Sequence, residues 1–253
     1  MPLKIFITGA NSGIGEALAI EYAKQGAILG LVARRKKELQ ILQKKLNGKV
    51  LIYEVDVTNI NQCRWASEDF IAHHGAPDIV IANAGISVGT LTENFSDIET
   101  FKKIIDTNLN GVINTFYPFV QLFKKREQGQ FVGISSIAGI RGLPGSGAYS
   151  SSKAALINYL ESFRVEMAPY KIDVTTIAPG YIKTPMTDVN NYAMPFIMPV
   201  DKAAISFINA IRKKKKFIII PWQMKIIGYL MHILPIFIWD FLAKKGPRKK
   251  RDL

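Results

Sequence analysis

The chain begins with an apolar run that leads into a glycine-rich turn, Leu3-Lys4-Ile5-Phe6-Ile7-Thr8-Gly9-Ala10-Asn11-Ser12-Gly13-Ile14-Gly15. Ile14, Leu18 and Tyr22 then recur at the spacing of one helix face. A glycine turn between a strand and a helix presents backbone N–H groups and the helix N-terminus to a pyrophosphate. The spacing Gly9-x-x-x-Gly13-x-Gly15 differs from the usual G-x-G-x-x-G, and a plain glycine-rich turn is the alternative. The expected dinucleotide-binding residues of this turn are Gly9, Asn11, Ser12, Gly13, Ile14 and Gly15.

Strand-like and helix-like runs alternate along the rest of the chain. Strands are expected at 3–8, 27–33, 50–55, 78–82, 130–134, 172–177 and 216–220. The helices between them include a long one at 98–125 and one that carries Tyr149 and ends near residue 168. Short apolar strands that alternate with helices require right-handed crossovers and a parallel sheet covered on both faces. The sequence therefore predicts an α/β fold, with a single Rossmann-type domain over residues 1–221, a seven-stranded parallel sheet and helices on both faces.

The net charge of +13 is unevenly distributed over the 253 residues. Residues 1–212 hold 22 Lys and Arg against 18 Asp and Glu, whereas residues 213–253 hold 11 against 2. The positive excess therefore belongs to the tail, and we expect no nucleic-acid partner for the folded domain. A single cysteine, Cys63, excludes an internal disulfide framework and suits a reducing compartment. Because the chain runs from Met1 directly into the first strand, we expect no signal peptide and a cytoplasmic protein.

The end of the second strand distinguishes the two nicotinamide cofactors. An acidic residue there binds the ribose 2′-hydroxyl, whereas arginine accommodates a 2′-phosphate. This chain has Ala33-Arg34-Arg35 at that point and no acidic residue before Glu38. The sequence therefore predicts that Arg34 and Arg35 bind the cofactor and that NADP(H) is preferred over NAD(H). The alternative is a solvated first turn of a basic helix.

Tyr149 and Lys153 are four residues apart, so they share one face of a helix. An ammonium group beside a phenol lowers a tyrosine pKa from its usual ~10 toward the range of a general acid or base. The alternative is a structural pair on a helix surface. A neutral hydroxyl must also stabilise the oxygen on which charge develops, and Ser135 and Ser136 are the two candidates.

These motifs, in this order, resemble the classical short-chain dehydrogenase/reductase superfamily over residues 3–221. The matching stretches are Thr8-Gly9-x-x-x-Gly13-x-Gly15, Asp56-Val57-Thr58, Asn83-Ala84-Gly85, Asn108-Leu109-Asn110-Gly111, Ser135-Ser136, Tyr149-x-x-x-Lys153 and Pro179-Gly180, with Thr184 beyond. The resemblance implies that Asp56 and Val57 flank the adenine of the cofactor. It also implies that Asn83, Ala84 and Gly85 lie beside the cofactor and that Pro179, Gly180, Ile182 and Thr184 lie at its nicotinamide end.

The resemblance also assigns the catalytic residues Asn108, Ser136, Tyr149 and Lys153. It implies that Ser136 rather than Ser135 stabilises the substrate oxygen, and that Tyr149 exchanges a proton with that oxygen as hydride is transferred. Lys153 is expected to lower the Tyr149 pKa and to bind the nicotinamide ribose. Asn108 is expected within the long helix, where it holds a water that links Lys153 to solvent; a polar residue satisfying a helix distortion is the alternative.

The irregular stretch 179–199 is expected to line the substrate cleft. Its apolar side chains, Met186, Met194, Phe196, Ile197 and Met198, predict a small hydrophobic carbonyl or alcohol as the substrate. We also expect a homo-oligomer, such as a dimer. No metal site is expected, since His73, His74 and His232 have no metal-ligand spacing.

Residues 222–253 form a hydrophobic and then basic helical extension beyond the length typical of the family. Its longest uncharged run, 226–239, has 14 residues, fewer than the ~20 of a spanning helix. The composition predicts an interfacial helix on an anionic membrane, at its inner face. A helix that packs over the substrate loop or a partner subunit is the alternative. A cofactor-bound membrane scaffold without turnover is the rival function, but it does not require the four catalytic positions that this chain retains.

Overall fold

The computed structural model of the protein describes residues 1–244, 246 and 248–251. Its strands are β1 (Lys4–Thr8), β2 (Ile28–Ala33), β3 (Val50–Glu54), β4 (Ile79–Ala82), β5 (Gln130–Ile134), β6 (Asp173–Pro179), β7 (Ile182–Lys183), β8 (Met198–Pro199) and β9 (Phe217–Ile220). Its α-helices are α1 (Gly13–Lys24), α2 (Lys36–Lys45), α3 (Ile60–His74), α4 (Asp97–Ile105), α5 (Gly111–Arg126), α6 (Gly147–Met167), α7 (Pro185–Asp188), α8 (Val200–Arg212), α9 (Trp222–Ile233) and α10 (Ile236–Ala243).

Within these residues, seven parallel strands form one sheet in the order β3-β2-β1-β4-β5-β6-β9. The order reverses between β1 and β4, which are neighbours paired through Ile5 and Ile79. At such a switch point the segments after the two strands leave in opposite directions and open a crevice at the carboxyl ends. This sheet confirms the predicted α/β fold, and its crevice is where the glycine turn begins.

Two apolar layers cover the sheet. On one face, helices α1, α2 and α8 contribute buried side chains such as Leu18, Leu39 and Phe207. On the other face, helices α3, α5 and α6 contribute aromatic rings such as Phe70 and Phe116. Because the strands are buried on both faces, they read as continuous apolar runs rather than as alternating ones.

The helix expected at 98–125 is interrupted. A π-helical turn, Asp106–Asn110, lies between α4 and α5. Within it the side chain of Asn108 is fully buried and exchanges hydrogen bonds with the backbone of Ile86. This contact favours the widened turn because it points the amide inward, and π-turns of this kind are frequent at functional sites.

The stretch 179–199 is less irregular than expected, since it contains β7, α7 and β8. Thr184 forms the N-cap of α7 in a reciprocal capping box with Thr187. Proline follows it as Pro185 at the first helical position, where its missing N–H has no consequence. Strands β7 and β8 pair in parallel through Ile182 and Met198.

The C-terminal extension forms two helices rather than one, because Pro235 separates α9 from α10 and holds the preceding Leu234 in an extended conformation. Helix α9 buries Met224 and Gly228. None of the helices in the described part of the chain is both long and apolar enough to cross a membrane. The division into domains at residue 221 stays a prediction.

Gly30 gives a test of the packing between sheet and helices. A Cβ atom there would come within 2.7 Å of ring carbons of Phe6 and Phe70, and both rings are buried. We expect Gly30→Ala to lower the free energy of unfolding by about 1–3 kcal/mol, as overpacking of a filled core does. Urea unfolding followed by circular dichroism measures this change.

The control is Gly142→Ala, since a Cβ atom at Gly142 meets no atom within 4 Å. This variant should unfold at the urea concentration of the unmodified protein. An equal loss of stability in both variants would contradict the packing explanation.

Candidate active site

A cavity of about 430 Å³ opens at the carboxyl ends of the central strands. It is lined by these predicted site residues: Gly9, Asn11, Ser12, Gly13, Ile14, Arg34, Arg35, Asp56, Val57, Asn83, Ala84, Gly85, Ser136, Tyr149, Lys153, Pro179, Gly180, Ile182 and Thr184. Two further predicted residues, Gly15 and Asn108, support the wall from behind, as described below. The cavity therefore brings together residues from the whole length of the domain.

The glycine turn requires its glycines. Gly9 and Gly13 have φ angles of 66° and 59°, in the left-handed region that side chains disfavour. A Cβ atom on Gly9 would lie 2.7 Å from the Cα of Ala84, and one on Gly15 would lie 2.2 Å from the carbonyl oxygen of Gly9. The three glycines therefore let the turn fold tightly against the loop after β4, with its backbone facing the cavity.

Asn83 and Thr8 fasten that turn to the switch point. The Asn83 amide donates hydrogen bonds to the carbonyl oxygens of Thr8 and Gly9, both at 3.1 Å. In return, Thr8 Oγ1 accepts from the backbone N–H groups of Asn83 and Ala84 at 3.2 and 3.3 Å. Asn83 thus holds β1 and β4 in position. This role of Thr8 was not expected from the sequence, although Thr8 precedes the first glycine in the matching motif.

Arg34 and Arg35 lie at the outer end of the cavity, and both side chains are exposed. Arg34 Nη1 lies 3.8 Å from a carboxylate oxygen of Asp56. Arg35 donates a hydrogen bond to Ser12 Oγ at 3.3 Å and pairs with Glu38 at 3.4 Å. The guanidinium of Arg35 is therefore fixed against the glycine turn, where a phosphate would arrive.

Tyr149 and Lys153 lie in the first two turns of α6, as the spacing predicts. The Lys153 ammonium lies 5.9 Å from the centre of the Tyr149 ring and donates a hydrogen bond to the carbonyl oxygen of Ile134 at 2.8 Å. Lys153 is only 4% exposed, and this burial lowers its pKa to about 8. Its charge is therefore held in a site from which water is largely excluded.

The pKa of Tyr149 moves in the direction opposite to the one expected. Burial raises the pKa of Tyr149, and a side-chain hydrogen bond with Ser136 acts in the other direction. The expected fall is therefore wrong for the protein by itself. The reason is geometric, because the Lys153 ammonium bonds to the Ile134 carbonyl rather than to the phenol, so desolvation has the larger effect.

The two adjacent serines have different partners. Ser135 is buried, and its hydroxyl donates to the carbonyl oxygen of Lys153 at 2.9 Å, which ties α6 to the end of β5. Ser136 lines the cavity, accepts a hydrogen bond from the N–H of Ala138 at 3.1 Å and is hydrogen-bonded with Tyr149. Ser136 is thus the serine whose hydroxyl reaches the phenol.

Asn108 does not line the cavity. Its amide donates to the carbonyl oxygen of Ile86 at 2.9 Å and to Ser152 Oγ at 3.0 Å, and its oxygen accepts from the N–H of Ile86 at 2.8 Å. Gly85 allows this approach, since a Cβ atom there would lie 3.1 Å from Asn108 Oδ1. Asn108 therefore joins the loop after β4 to α6, and its water-holding role stays a prediction.

The stretch 179–199 lines the cavity with only some of the residues that were expected there. Met186 lines the cavity, together with Pro185 and Thr187. Thr187 Oγ1 donates to the carbonyl oxygen of Ile182 at 2.7 Å and accepts from the N–H of Thr184 at 3.0 Å, which stabilises the wall at that end. Met198, expected in the substrate pocket, instead packs against the hydrophobic core.

Comparison with known proteins agrees with this geometry. Residues 4–194 match the family model for short chain dehydrogenases. The chain is 34% identical to an uncharacterized oxidoreductase of Myxococcus xanthus (strain DK1622) over 242 residues, which cover 94% of this chain and 95% of that protein. It is 35% identical to 11-beta-hydroxysteroid dehydrogenase-like 2 of Arabidopsis thaliana over 262 residues, covering 98% of this chain and 84% of the plant protein.

Solved structures give the same result. A short-chain type dehydrogenase/reductase from Mycobacterium marinum aligns with a TM-score of 0.79 at 26% identity, over 86% of this chain and 93% of that one. An alcohol dehydrogenase from the archaeon Thermococcus sibiricus, complexed with 5-hydroxy-NADP, aligns with a TM-score of 0.76 at 25% identity, over 87% and 96% of the two chains. The chain therefore belongs to the short-chain dehydrogenase/reductase superfamily of oxidoreductases.

Proposed function

We propose that the protein is an NADP(H)-dependent oxidoreductase that transfers hydride between the nicotinamide and a hydrophobic carbonyl or alcohol, with Tyr149 as the general acid or base. One observation carries this proposal. Tyr149, Ser136 and the buried ammonium of Lys153 meet in the same cavity whose outer end bears Arg34 and Arg35. A catalytic group and a phosphate-binding group thus share one site.

The residues present fit a nicotinamide dinucleotide. Gly9 and Gly13 of the glycine turn line the cavity without side chains, so the backbone there can approach a pyrophosphate closely. Asp56 and Val57 line the cavity and are assigned here to the adenine, while Ile182 and Thr184, which also line it, are assigned to the nicotinamide. When bound, the cofactor supplies or accepts the hydride.

The protein's own groups handle the proton. Burial raises the pKa of Tyr149, so the phenol keeps its proton at neutral pH and is suited to donate it to a carbonyl oxygen. Ser136 offers a neutral hydroxyl to the same oxygen as charge develops there. Lys153 places a positive charge near both groups and stabilises a Tyr149 phenolate after proton transfer. The phenol is thus in the protonation state that reduction of a carbonyl requires.

The preference for the phosphorylated cofactor rests on charge. Arg35 donates a hydrogen bond to Ser12 of the glycine turn, and Arg34 forms an ion pair with Asp56. Guanidinium groups bind phosphate with two donors each, whereas a ribose hydroxyl gains little from them. The solved alcohol dehydrogenase from Thermococcus sibiricus, which this chain resembles, carries an NADP derivative.

The rival proposal, a cofactor-bound scaffold without turnover, leaves Lys153 unexplained. Burying an ammonium group without a carboxylate partner is unfavourable by several kcal/mol, and a scaffold gains nothing from it. In the described residues, the hydrogen-bond partner of the Lys153 ammonium is a neutral carbonyl. An enzyme gains from the same charge during proton transfer.

We also propose that α9 and α10 hold the protein to an anionic membrane surface. Their apolar side chains are exposed, including Trp222, Tyr229, Ile236, Phe237 and Phe241. Basic residues follow directly in the sequence. Exposed apolar side chains beside clustered bases are typical of interfacial helices. Assembly into a dimer stays a prediction, which sedimentation velocity can measure.

Replacing Tyr149 with Phe tests the catalytic assignment. Tyr149→Phe removes the proton donor but keeps the ring, so we expect turnover to fall by about 10²–10⁴-fold while cofactor affinity changes little. NADPH oxidation with a panel of hydrophobic ketones measures turnover, and quenching of protein fluorescence measures cofactor binding. A variant that keeps more than half of the activity would overturn the role of Tyr149.

Replacing both Arg34 and Arg35 with Ala tests the cofactor preference. A charge-assisted hydrogen bond to phosphate contributes about 1.5–3 kcal/mol, or roughly ten- to a hundredfold in affinity. We therefore expect the unmodified protein to bind NADPH more tightly than NADH, and the double variant to lose this difference through weaker NADPH binding. Calorimetric titration with both cofactors is the measurement, and equal affinities in the unmodified protein would contradict the proposal.

Flotation with vesicles containing phosphatidylserine tests the membrane proposal. Phe237 and Phe241 are 73% and 72% exposed, so Phe237→Ser with Phe241→Ser should leave the fold intact. Each buried Phe contributes about 1.5–3 kcal/mol, so the double variant should partition roughly a hundred- to ten-thousandfold less well. The control is Ile41→Ser with Tyr117→Ser, which removes exposed apolar groups from α2 and α5. Failure of the full, folded chain to float at low salt would exclude membrane binding.

A further inference from the structure

The C-terminal residues 248–251 return to the active site. Lys249 Nζ donates a hydrogen bond to Ser87 Oγ at 2.8 Å, and the carbonyl oxygen of Lys250 accepts from the N–H of Gly89 at 2.7 Å. Arg251 donates to both carboxylate oxygens of Asp97, at 2.9 and 3.2 Å. Three successive residues therefore bind one wall, the segment between β4 and α4.

This contact is close and specific. A Cβ atom on Gly89 would lie 2.2 Å from the carbonyl oxygen of Lys249, so only glycine lets the two backbones meet. Asp97 is a buried carboxylate, and its hydrogen bond from Arg251 is the first cause of a lowered pKa of Asp97. The C-terminal segment is thus seated against the wall by backbone, hydroxyl and ionic contacts together.

Lys249 brings a second cation to Tyr149. Its ammonium lies 6.0 Å from the centre of the Tyr149 ring, nearly the same distance as that of Lys153. Lys153 lines the cofactor cavity, whereas Lys249 and its partner Ser87 do not. Lys249 therefore lies beside the Tyr149 ring without lining the cavity that fits the cofactor.

Among the described residues, no anionic group compensates the charge of Lys249. In the part of the chain that the structure describes, its hydrogen-bond partner is the neutral hydroxyl of Ser87, and no carboxylate lies within 4.0 Å of its ammonium. Burial lowers the pKa of Lys249 to about 8. A partly buried cation is unfavourable without an anion, so an anionic ligand group would stabilise this arrangement.

We propose that Lys249 is a substrate-binding residue that recognises a carboxylate, and that the substrate is a hydrophobic oxo acid. This inference rests on the oxidoreductase function proposed above. One ammonium and one hydroxyl match a single carboxylate, whereas a phosphate group usually attracts several cationic donors. The carbonyl carbon of the oxo acid gains hydride and its oxygen gains the Tyr149 proton, which gives a hydroxy acid. The carboxylate remains unchanged throughout.

The test compares 3-oxooctanoate with its methyl ester, both reduced with NADPH. In Lys249→Met, the ratio of kcat/KM for the acid to kcat/KM for the ester should fall roughly ten- to a hundredfold, the value of a charge-assisted hydrogen bond. The matched control is Lys250→Met, which removes the same charge from the same segment, where the side chain is exposed. Its ratio should equal that of the unmodified protein.

A second measurement separates this inference from the proposed function. Calorimetry with octanoate and octanamide, in the presence of NADP, reports carboxylate recognition without turnover. The unmodified protein should prefer octanoate, and Lys249→Met should lose that preference. If neither oxo compound is reduced, the oxidoreductase proposal fails and calorimetry still decides the role of Lys249. An unchanged ratio or an equal loss for acid and ester in Lys249→Met, or no preference for octanoate in the unmodified protein, overturns the inference.

Discussion

The amide of Asn83 makes the contact on which the site depends. Strands β1 and β4 are neighbours, but the segments that follow them diverge, and the crevice between these segments must be held at a fixed width. Asn83 does this by donating hydrogen bonds to the carbonyl oxygens of Thr8 and Gly9. Thr8 Oγ1 in turn accepts hydrogen bonds from the backbone N–H groups of Asn83 and Ala84. Without these bonds, the glycine turn would no longer be held at a fixed position relative to the loop that leads to Asn108.

A second constraint is the buried charge. The ammonium of Lys153 reaches the carbonyl of Ile134 at the end of β5, and the hydroxyl of Ser135 reaches back to the carbonyl of Lys153. These reciprocal bonds hold the start of α6 over the end of the sheet, which sets the distance between Lys153 and Tyr149. Desolvation then determines both protonation states, since it favours the neutral phenol of Tyr149 and weakens the proton affinity of Lys153.

Local patterns predicted much of this arrangement. The strands followed from short apolar runs, and the glycine turn and the Tyr149–Lys153 spacing followed from backbone geometry within a few residues. A helix distortion at Asn108 was expected only as an alternative, and the sequence could not indicate its form, because the π-helical turn depends on a hydrogen bond to Ile86, 22 residues away. The hydrogen bond between Lys249 and Ser87 could not be predicted from the sequence either, because 162 residues separate the two. In composition alone, Lys249 was one base in a solvated tail.

The position of that tail follows from the topology. Strand β9 is parallel to β6, so both end at the edge of the sheet where the cavity opens, and α9 must begin there. Met224 of α9 packs against Gly180, which lines the cavity. Arg141, from the segment between Ser136 and Tyr149, donates to the carbonyl oxygens of Met231 and Leu234 and so caps the end of α9. The extension and the residues around Lys249 are therefore held at the same end of the sheet as Tyr149 and Lys153.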